Sequence, residues 1–211
     1  MIIAVANLLA PSGTSTLAVR LAAERAHAHG DAPGRVLLVT SSPVNPAHEA
    51  IGRGGSAGSG PEVLTAVLPT ARALQMMVPR MSQDYDDIVI DVPGINTPAV
   101  RAALVIADQV VLPVTPADPD EDASGATCTE GDIREFVMSV DMARHYNPQL
   151  RAVAVTTGST EVPGWLVELL QGEPGWRLSA AAPGGRASSV VRQGRSTTER
   201  TAADRVVASV A

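Results

Sequence analysis

Short apolar runs rich in valine and isoleucine alternate along this chain with longer stretches in which apolar residues recur at helical spacing. The short runs end at turn-forming residues and are apolar at consecutive positions, which is typical of strands buried on both faces. The alternation predicts an α/β fold, a doubly wound, mostly parallel sheet with helices on both faces. The predicted strands span residues 2–6, 35–41, 86–91, 109–115 and 151–157, with a short strand at 176–181.

The helical stretches lie between these runs and after them. Glycine dominates the segment Gly52–Gly60, which predicts a surface loop. With 211 residues, of which 45% are hydrophobic, the chain suits a single domain over 1–211 with its own core. The predicted helices span residues 14–29, 69–82, 97–107, 124–146, 161–171 and 196–210, with a short helix at 186–193.

Composition adds an expectation about the compartment. No apolar run approaches the roughly 18 residues that a membrane span needs, and no basic leader precedes an apolar run at the start. The single cysteine, Cys128, excludes an internal disulfide and fits a reducing compartment. We expect a cytoplasmic protein.

The start of the chain has the layout of a phosphate-binding loop. The apolar run 2–6 leads through Pro11-Ser12-Gly13-Thr14-Ser15-Thr16 into an alanine- and leucine-rich helix. In a phosphate loop, backbone N–H groups and a helix N-terminus surround the phosphate, and a lysine adds positive charge. Thr14 stands at the position of that lysine, and all 16 basic residues of the chain are arginine. An ordinary polar loop with hydroxyls that cap the helix remains the alternative for Ser12–Thr16.

Three segments, in their order and spacing, resemble the ParA/MinD-type ATPases, a P-loop NTPase family, and in particular its short single-domain members. They are the strand–loop–helix start, the end of the second strand, and Tyr85-Asp86-Asp87-Ile88-Val89-Ile90-Asp91-Val92-Pro93-Gly94. The family's deviant phosphate loop, K-G-G-x-G-K-S/T, falls on residues 9–15, where Gly13 and Ser15 match while Leu9 and Thr14 replace the two lysines. The resemblance is clear for residues 1–116, and after residue 116 it rests only on the order of the predicted strands and helices.

The resemblance implies roles for individual residues. Asp91 matches the Walker B-like aspartate, so Ser15 and Asp91 are the expected ligands of a magnesium ion if nucleotide binds. Ser42 stands where the family has the aspartate that activates water, and it has no carboxylate for that task. No catalytic residue is therefore assigned, and the cofactor is either none or ATP or ADP with magnesium. The residues expected to contact it are Gly13, Thr14, Ser15, Thr16 and Asp91.

Charge is divided unevenly along the chain. Residues 175–211 contain six arginines against Glu199 and Asp204, whereas the whole chain has a net charge of −6. Members of the resembled family bind DNA nonspecifically through basic patches on a dimer surface, so the resemblance implies phosphate-backbone contacts here. A solvated helix surface is the alternative. The predicted DNA-binding residues are Arg192, Arg195, Arg200 and Arg205.

Together these observations predict a ParA-like protein of DNA partition, plasmid maintenance or transfer, or subcellular positioning. Because Leu9, Thr14 and Ser42 each lack a charge that ATP turnover uses, we expect an adaptor or regulator that does not hydrolyse ATP. Its expected partners are a second copy of the chain, a ParB-like or other protein, and DNA. The competing hypothesis is an active partition ATPase or nucleotide switch with a phosphate loop that lacks lysine.

Overall fold

We describe the protein from a computed structural model, in whose described residues seven parallel strands form one sheet. The structure describes residues 1–6, 13–28, 35–42, 63–92, 97–115, 128–157 and 162–181. The strand order is β3-β2-β4-β1-β5-β6-β7, and every pair of neighbours is parallel. The strands are β1 (Ile2–Ala6), β2 (Val36–Thr40), β3 (Val63–Val67), β4 (Asp87–Val92), β5 (Gln109–Val114), β6 (Arg151–Thr157) and β7 (Trp176–Ala181).

Five helices in the described residues cover the two faces of this sheet. The first packs its buried residues against Ile3, Val5 and Val89, whereas the other four pack on the opposite face around Ile88 and Leu112. The predicted doubly wound α/β fold with helices on both faces is therefore confirmed. The helices are α1 (Thr14–Ala28), α2 (Ala71–Met81), α3 (Pro98–Ile106), α4 (Glu130–Arg144) and α5 (Gly164–Gln171).

Threonine caps define the starts of three helices. Thr70 and Thr97 accept hydrogen bonds from backbone N–H groups three residues later, and Pro98 follows Thr97 at the first helical position. Thr129 forms a capping box with Asp132, in which the Thr129 amide donates to the Asp132 carboxylate at 2.9 Å and the Asp132 amide donates back at 3.2 Å. Local sequence therefore sets where these helices begin.

The structure corrects the predicted elements in two places. β3 was not predicted as a strand, because it is a half-exposed edge strand and lacks the continuous apolar burial of the central strands. The predicted helix 124–146 begins only at Glu130, since Thr129 has extended backbone angles and acts as the cap. The other described elements differ from the predicted bounds by no more than three residues, and β1, β6 and β7 have the predicted bounds.

Several predictions lie outside the described residues. They are the loop Gly52–Gly60 and the helices at 186–193 and 196–210. The assignment of one domain to 1–211 stays a prediction for the same reason. Within the described residues, no helix combines the length and the apolar sequence that a bilayer span requires.

A buried ion pair ties α1 to the start of β4. The Arg25 guanidinium donates from Nε to Oδ2 of Asp87 at 2.8 Å and from a terminal nitrogen to Oδ1 at 3.0 Å. The two side chains are 12% and 2% exposed. Because the pair is bidentate and nearly dry, it fixes the last turn of α1 against the amino edge of the sheet.

Candidate functional site

Gly13 forms the turn from which α1 begins. Its φ of +72° lies in the left-handed region that favours glycine. A Cβ at this position would meet no heavy atom within 4 Å, so the backbone angle and not a lack of room requires glycine. The first helical hydrogen bond runs from the Leu17 amide to the Gly13 carbonyl at 2.8 Å. Since β1 and β2 are parallel, the helix that connects them begins at the carboxyl edge of the sheet.

Three consecutive hydroxyl residues occupy the first turn of α1. Thr14 is buried at 5% exposure, Ser15 is half-buried and Thr16 is exposed. The N-cap position is Gly13, which has no side chain to accept hydrogen bonds from the first-turn amides. The three predicted binding residues therefore differ in their exposure to solvent, and Thr14 is part of the protein interior.

Asp91 lies at the same corner of the sheet as the start of α1. Its side chain is fully buried, and its register partners are Val5 of β1 and Thr40 of β2. Val89, two residues earlier, packs in the cluster of α1, so Asp91 is on the face that α1 covers. The structure therefore brings the predicted magnesium ligands Ser15 and Asp91 to one edge and one face.

Ser42 follows β2 at this edge, in a turn held by hydrogen bonds from two backbone amides. The Ser41 amide donates to the Asp91 carbonyl at 3.1 Å, and the Ser42 amide donates to the Thr40 hydroxyl at 3.2 Å. These bonds hold residue 42 one strand away from Asp91. Among the described residues where β1, β2 and β4 end, Asp91 is the one carboxylate.

Positive charge at the carboxyl edge comes from helices that the sequence interpretation did not single out. Arg72 and Arg101 are exposed residues in the first turns of α2 and α3, which begin after the carboxyl ends of β3 and β4. Both helices lie in the layer opposite α1. The signal that predicts their position is simple, because every helix that follows a strand in a parallel sheet begins at that edge.

The neighbouring strands β5 and β6 end in a small polar cluster. The hydroxyls of Thr115 and Thr157 are 2.8 Å apart, and the Cys128 amide donates to the Thr115 carbonyl at 3.1 Å. Burial raises the pKa of the Cys128 thiol, a backbone hydrogen bond at Thr115 lowers the pKa by less, and the Asp132 carboxylate raises it. The thiol is therefore held in its neutral form.

Other predicted residues are outside the described part of the chain. Leu9 is among them, and so are the four predicted DNA-binding arginines, Arg192, Arg195, Arg200 and Arg205. In the described residues, no group of three histidine, cysteine or acidic side chains is placed to hold a metal ion.

The sequence of the chain was compared with protein-family models and with curated protein sequences. Residues 59–130 match the model of the ATPase MipZ family, a segment that contains Asp91 and not the loop at Gly13. No curated protein sequence matches the chain significantly.

Solved structures match over most of the chain. A plasmid partition protein from Borrelia burgdorferi is 16% identical, covers 86% of this chain and 89% of its own, and has a TM-score of 0.55. The cell division protein MinD from Aquifex aeolicus is 11% identical, with coverages of 86% and 81% and a TM-score of 0.59. Cobyrinic acid a,c-diamide synthase from Mycobacterium smegmatis, with bound ADP and magnesium, is 17% identical, with coverages of 81% and 79% and a TM-score of 0.57.

These likenesses agree with the predicted class. The chain has the fold of the ParA/MinD-type P-loop ATPases, and the resemblance predicted from the sequence is confirmed. At this level of identity the solved structures establish the fold, and function depends on the residues at the site.

Proposed function

We propose that this chain is a ParA-like protein of DNA partition, plasmid maintenance or transfer, or subcellular positioning that works without efficient ATP hydrolysis. It acts as an adaptor or regulator that functions through the binding of partners to its surface and not through ATP turnover. The similarity to partition and cell-division proteins supports the general role. The uncharged side chains at positions 14 and 42 support the loss of hydrolysis.

The observation that most favours this proposal is the chemistry around Asp91. In phosphoryl transfer the protein supplies positioning and charge, and loss of one preorganised charged group costs a factor of about 10²–10⁵ in rate. Ser42 follows the end of β2, the strand next to that of Asp91, and it cannot accept a proton as a carboxylate can. Thr14 is a short buried hydroxyl residue with no charge to place on a phosphate.

The residues that remain suit a magnesium nucleotide in part. A serine hydroxyl and a buried carboxylate at one corner of the sheet are oxygen ligands of the kind that magnesium prefers. The amide groups of the first turn of α1 and its dipole favour a phosphate. Gly13, Thr14, Ser15, Thr16 and Asp91 would hold ATP or ADP with magnesium, and magnesium would neutralise phosphate charge there.

The proposed partners follow from the family and the charge distribution. A second copy of the chain or a ParB-like or other protein is one class, and nonspecific DNA is the other. Arg192, Arg195, Arg200 and Arg205 would contact phosphates, so DNA affinity should fall as salt rises. The expected location is the cytoplasm.

The competing function is an active ATPase or nucleotide switch. It would use Gly13, Ser15 and Asp91 with an arginine from outside the loop, and Arg101 in the first turn of α3 is a described candidate. Retention of a fully buried aspartate at the end of β4 is the observation in its favour.

Calorimetric titration with ATP and magnesium, followed by phosphate release, separates the two functions. We expect no turnover above the buffer rate from the native chain, and any binding that occurs should weaken in Ser15→Ala and Asp91→Asn. Ser82→Ala is the matched control, since this exposed hydroxyl lies at the far end of α2, away from the edge where α1 begins. Turnover by the native chain that Asp91→Asn abolishes would overturn the adaptor proposal.

Restoring the family residues gives the complementary test. The double variant Thr14→Lys with Ser42→Asp should gain phosphate release if the missing charges are the reason for inactivity. If the native chain and the double variant are equally inactive in hydrolysis although both bind ATP, the charges at these two positions do not explain the loss.

A further inference from the structure

Helix α4 carries large apolar side chains on the side that faces solvent. Met138 and Met142 are 68% and 67% exposed, and Tyr146, in the turn after the helix, is 78% exposed. The buried side of α4 is a separate stripe, in which Ile133 and Val140 pack in the core. Residues four apart in a helix share a face, so the two methionines form an exposed apolar stripe. Exposed apolar patches of this kind mark interaction surfaces.

The stripe of Met138 and Met142 lies away from the candidate nucleotide site. α4 packs in the helix layer opposite α1, which covers the other face of the sheet. Met138 follows Glu130, the first residue of α4, by two turns of helix, which is about 12 Å from the carboxyl edge. A partner on this stripe therefore leaves the first turn of α1 uncovered.

Opposite charges flank the stripe at similar distances. Arg134 is one turn before Met138 and Asp141 is one turn after it, so the three residues lie on one side of α4. Their charged side chains are 63% and 46% exposed. Arg134 donates to Glu130 from Nε and one terminal nitrogen, and its other terminal nitrogen forms no hydrogen bond with a described residue. Oδ1 of Asp141 accepts from Arg144, which leaves Oδ2 without a described partner.

We propose that α4 binds α4 of a second copy of this chain as an antiparallel pair, with a two-fold axis beside Met138. The axis reverses the direction of the helix, so Met138 packs on the partner's Met138, and Arg134 lies beside the partner's Asp141. A parallel pair would place Arg134 beside the partner's Arg134 and is therefore disfavoured. The inference rests on the proposed pairing of two copies and names the surface that forms the pair.

Charge complementarity is the reason to assign the stripe to a second copy. The free donor of Arg134 and the free acceptor of Asp141 satisfy each other only when the same surface meets itself in reverse, which is what an isologous interface requires. One helix face is smaller than the standard interface of about 800 Å² per partner, so the pair should be weak and dilute protein should be a monomer. The pairing needs no nucleotide, which is compatible with a chain that does not hydrolyse ATP.

Sedimentation equilibrium of the full chain without nucleotide, over a range of concentrations, tests the proposal. We expect a monomer–dimer equilibrium that Met138→Glu weakens at least about tenfold, because it places two carboxylates together at the axis. Met138 is exposed, so the variant should fold, as circular dichroism will show. Met76→Glu is the matched control, since Met76 is an exposed methionine of α2, and it should dimerise as the native chain does.

Exchange of the two flanking charges tests the antiparallel arrangement. Arg134→Asp and Asp141→Arg should each weaken the dimer, and the chain with both substitutions should regain it, because opposite charges again meet across the axis. A double variant as weak as the single variants would overturn the arrangement.

Two comparisons separate this surface from the nucleotide site. Ser15→Ala, and ATP with magnesium, should leave the dimerisation constant unchanged. A dimer that Met138→Glu does not weaken, or that forms only with ATP, overturns the assignment to α4 and leaves the proposed pairing of two copies in place. A chain that stays monomeric at every concentration overturns both, and none of these results bears on ATP hydrolysis.

Discussion

Loss of the Asp87 carboxylate should strongly destabilise the protein, because Arg25 would then be a buried charge without its partner, and the Met1 ammonium, 3.3 Å from Oδ1 of Asp87, would lose the same partner. The pair is bidentate, with side chains that are 2% and 12% exposed. Breaking a buried pair from one side costs about 3–5 kcal/mol of unfolding free energy. For a chain of this size that corresponds to roughly 6–20 °C in melting temperature. Asp87→Asn keeps the shape and removes the charge.

Urea unfolding followed by circular dichroism measures this loss. The midpoint should fall while the slope with denaturant stays unchanged, since the variant alters stability and not the surface exposed on unfolding. Arg134→Ala is the matched control, because its ion pair with Glu130 is exposed at 63% and 51% and contributes about 0.2–1 kcal/mol.

A double variant tests the physical reason. Arg25→Met with Asp87→Leu removes both side-chain charges, and apolar replacement of a buried pair is often neutral. A large part of the lost stability should therefore return, although the Met1 ammonium still lacks the Asp87 carboxylate. If the double variant is as unstable as Asp87→Asn, or if Asp87→Asn loses less than the exposed control, the unpaired-charge explanation is wrong.

Three further predictions use the same unfolding assay or a thiol reagent. Gly175→Ala should cost about 1–2 kcal/mol, because φ is +74° there and the new Cβ would lie 2.8 Å from an Arg144 nitrogen. Gly172→Ala, at φ −92° with open space around its Cβ, is the control and should be neutral or slightly stabilising. Thr129→Ala should cost about 0.5–2 kcal/mol through loss of the α4 cap. Burial raises the pKa of Cys128 above its usual 9.0, so its thiol should react with a disulfide reagent much more slowly in the folded than in the unfolded chain. The unfolded thiol loses its proton first, so the free energy of unfolding should fall as the pH rises past 9.0. Equal reaction rates in the two states would contradict the buried position.

The central strands could be predicted from the sequence because parallel strands are buried on both faces. β4 and β5 are buried along their whole length, and most of their residues are apolar. β3 was missed for the opposite reason, since its side chains are half-exposed and only β2 pairs with it. Because an edge strand is partly exposed to solvent, it needs fewer apolar residues, and the hydrophobic pattern of the sequence identifies it poorly.

The candidate site could be predicted in outline from strand ends. Asp91 lies near the end of β4 and α1 begins after the end of β1, and in a parallel sheet both of these ends are at the carboxyl edge. The burial of Thr14 and the placement of Ser42 beside the Asp91 strand depend on tertiary packing, which single-sequence patterns do not contain.

Charge and architecture are separable in this fold, which is why the family resemblance and the proposed loss of hydrolysis are compatible. The sheet is held by apolar contacts around residues such as Ile88 and Val89, and Asp91 is placed by the register of β4 against β1 and β2. None of these contacts uses a loop lysine or an aspartate at position 42. A chain can therefore lose both charges and keep the corner where α1 and β4 meet, so the few side chains at that corner, and not the fold, decide whether ATP is hydrolysed.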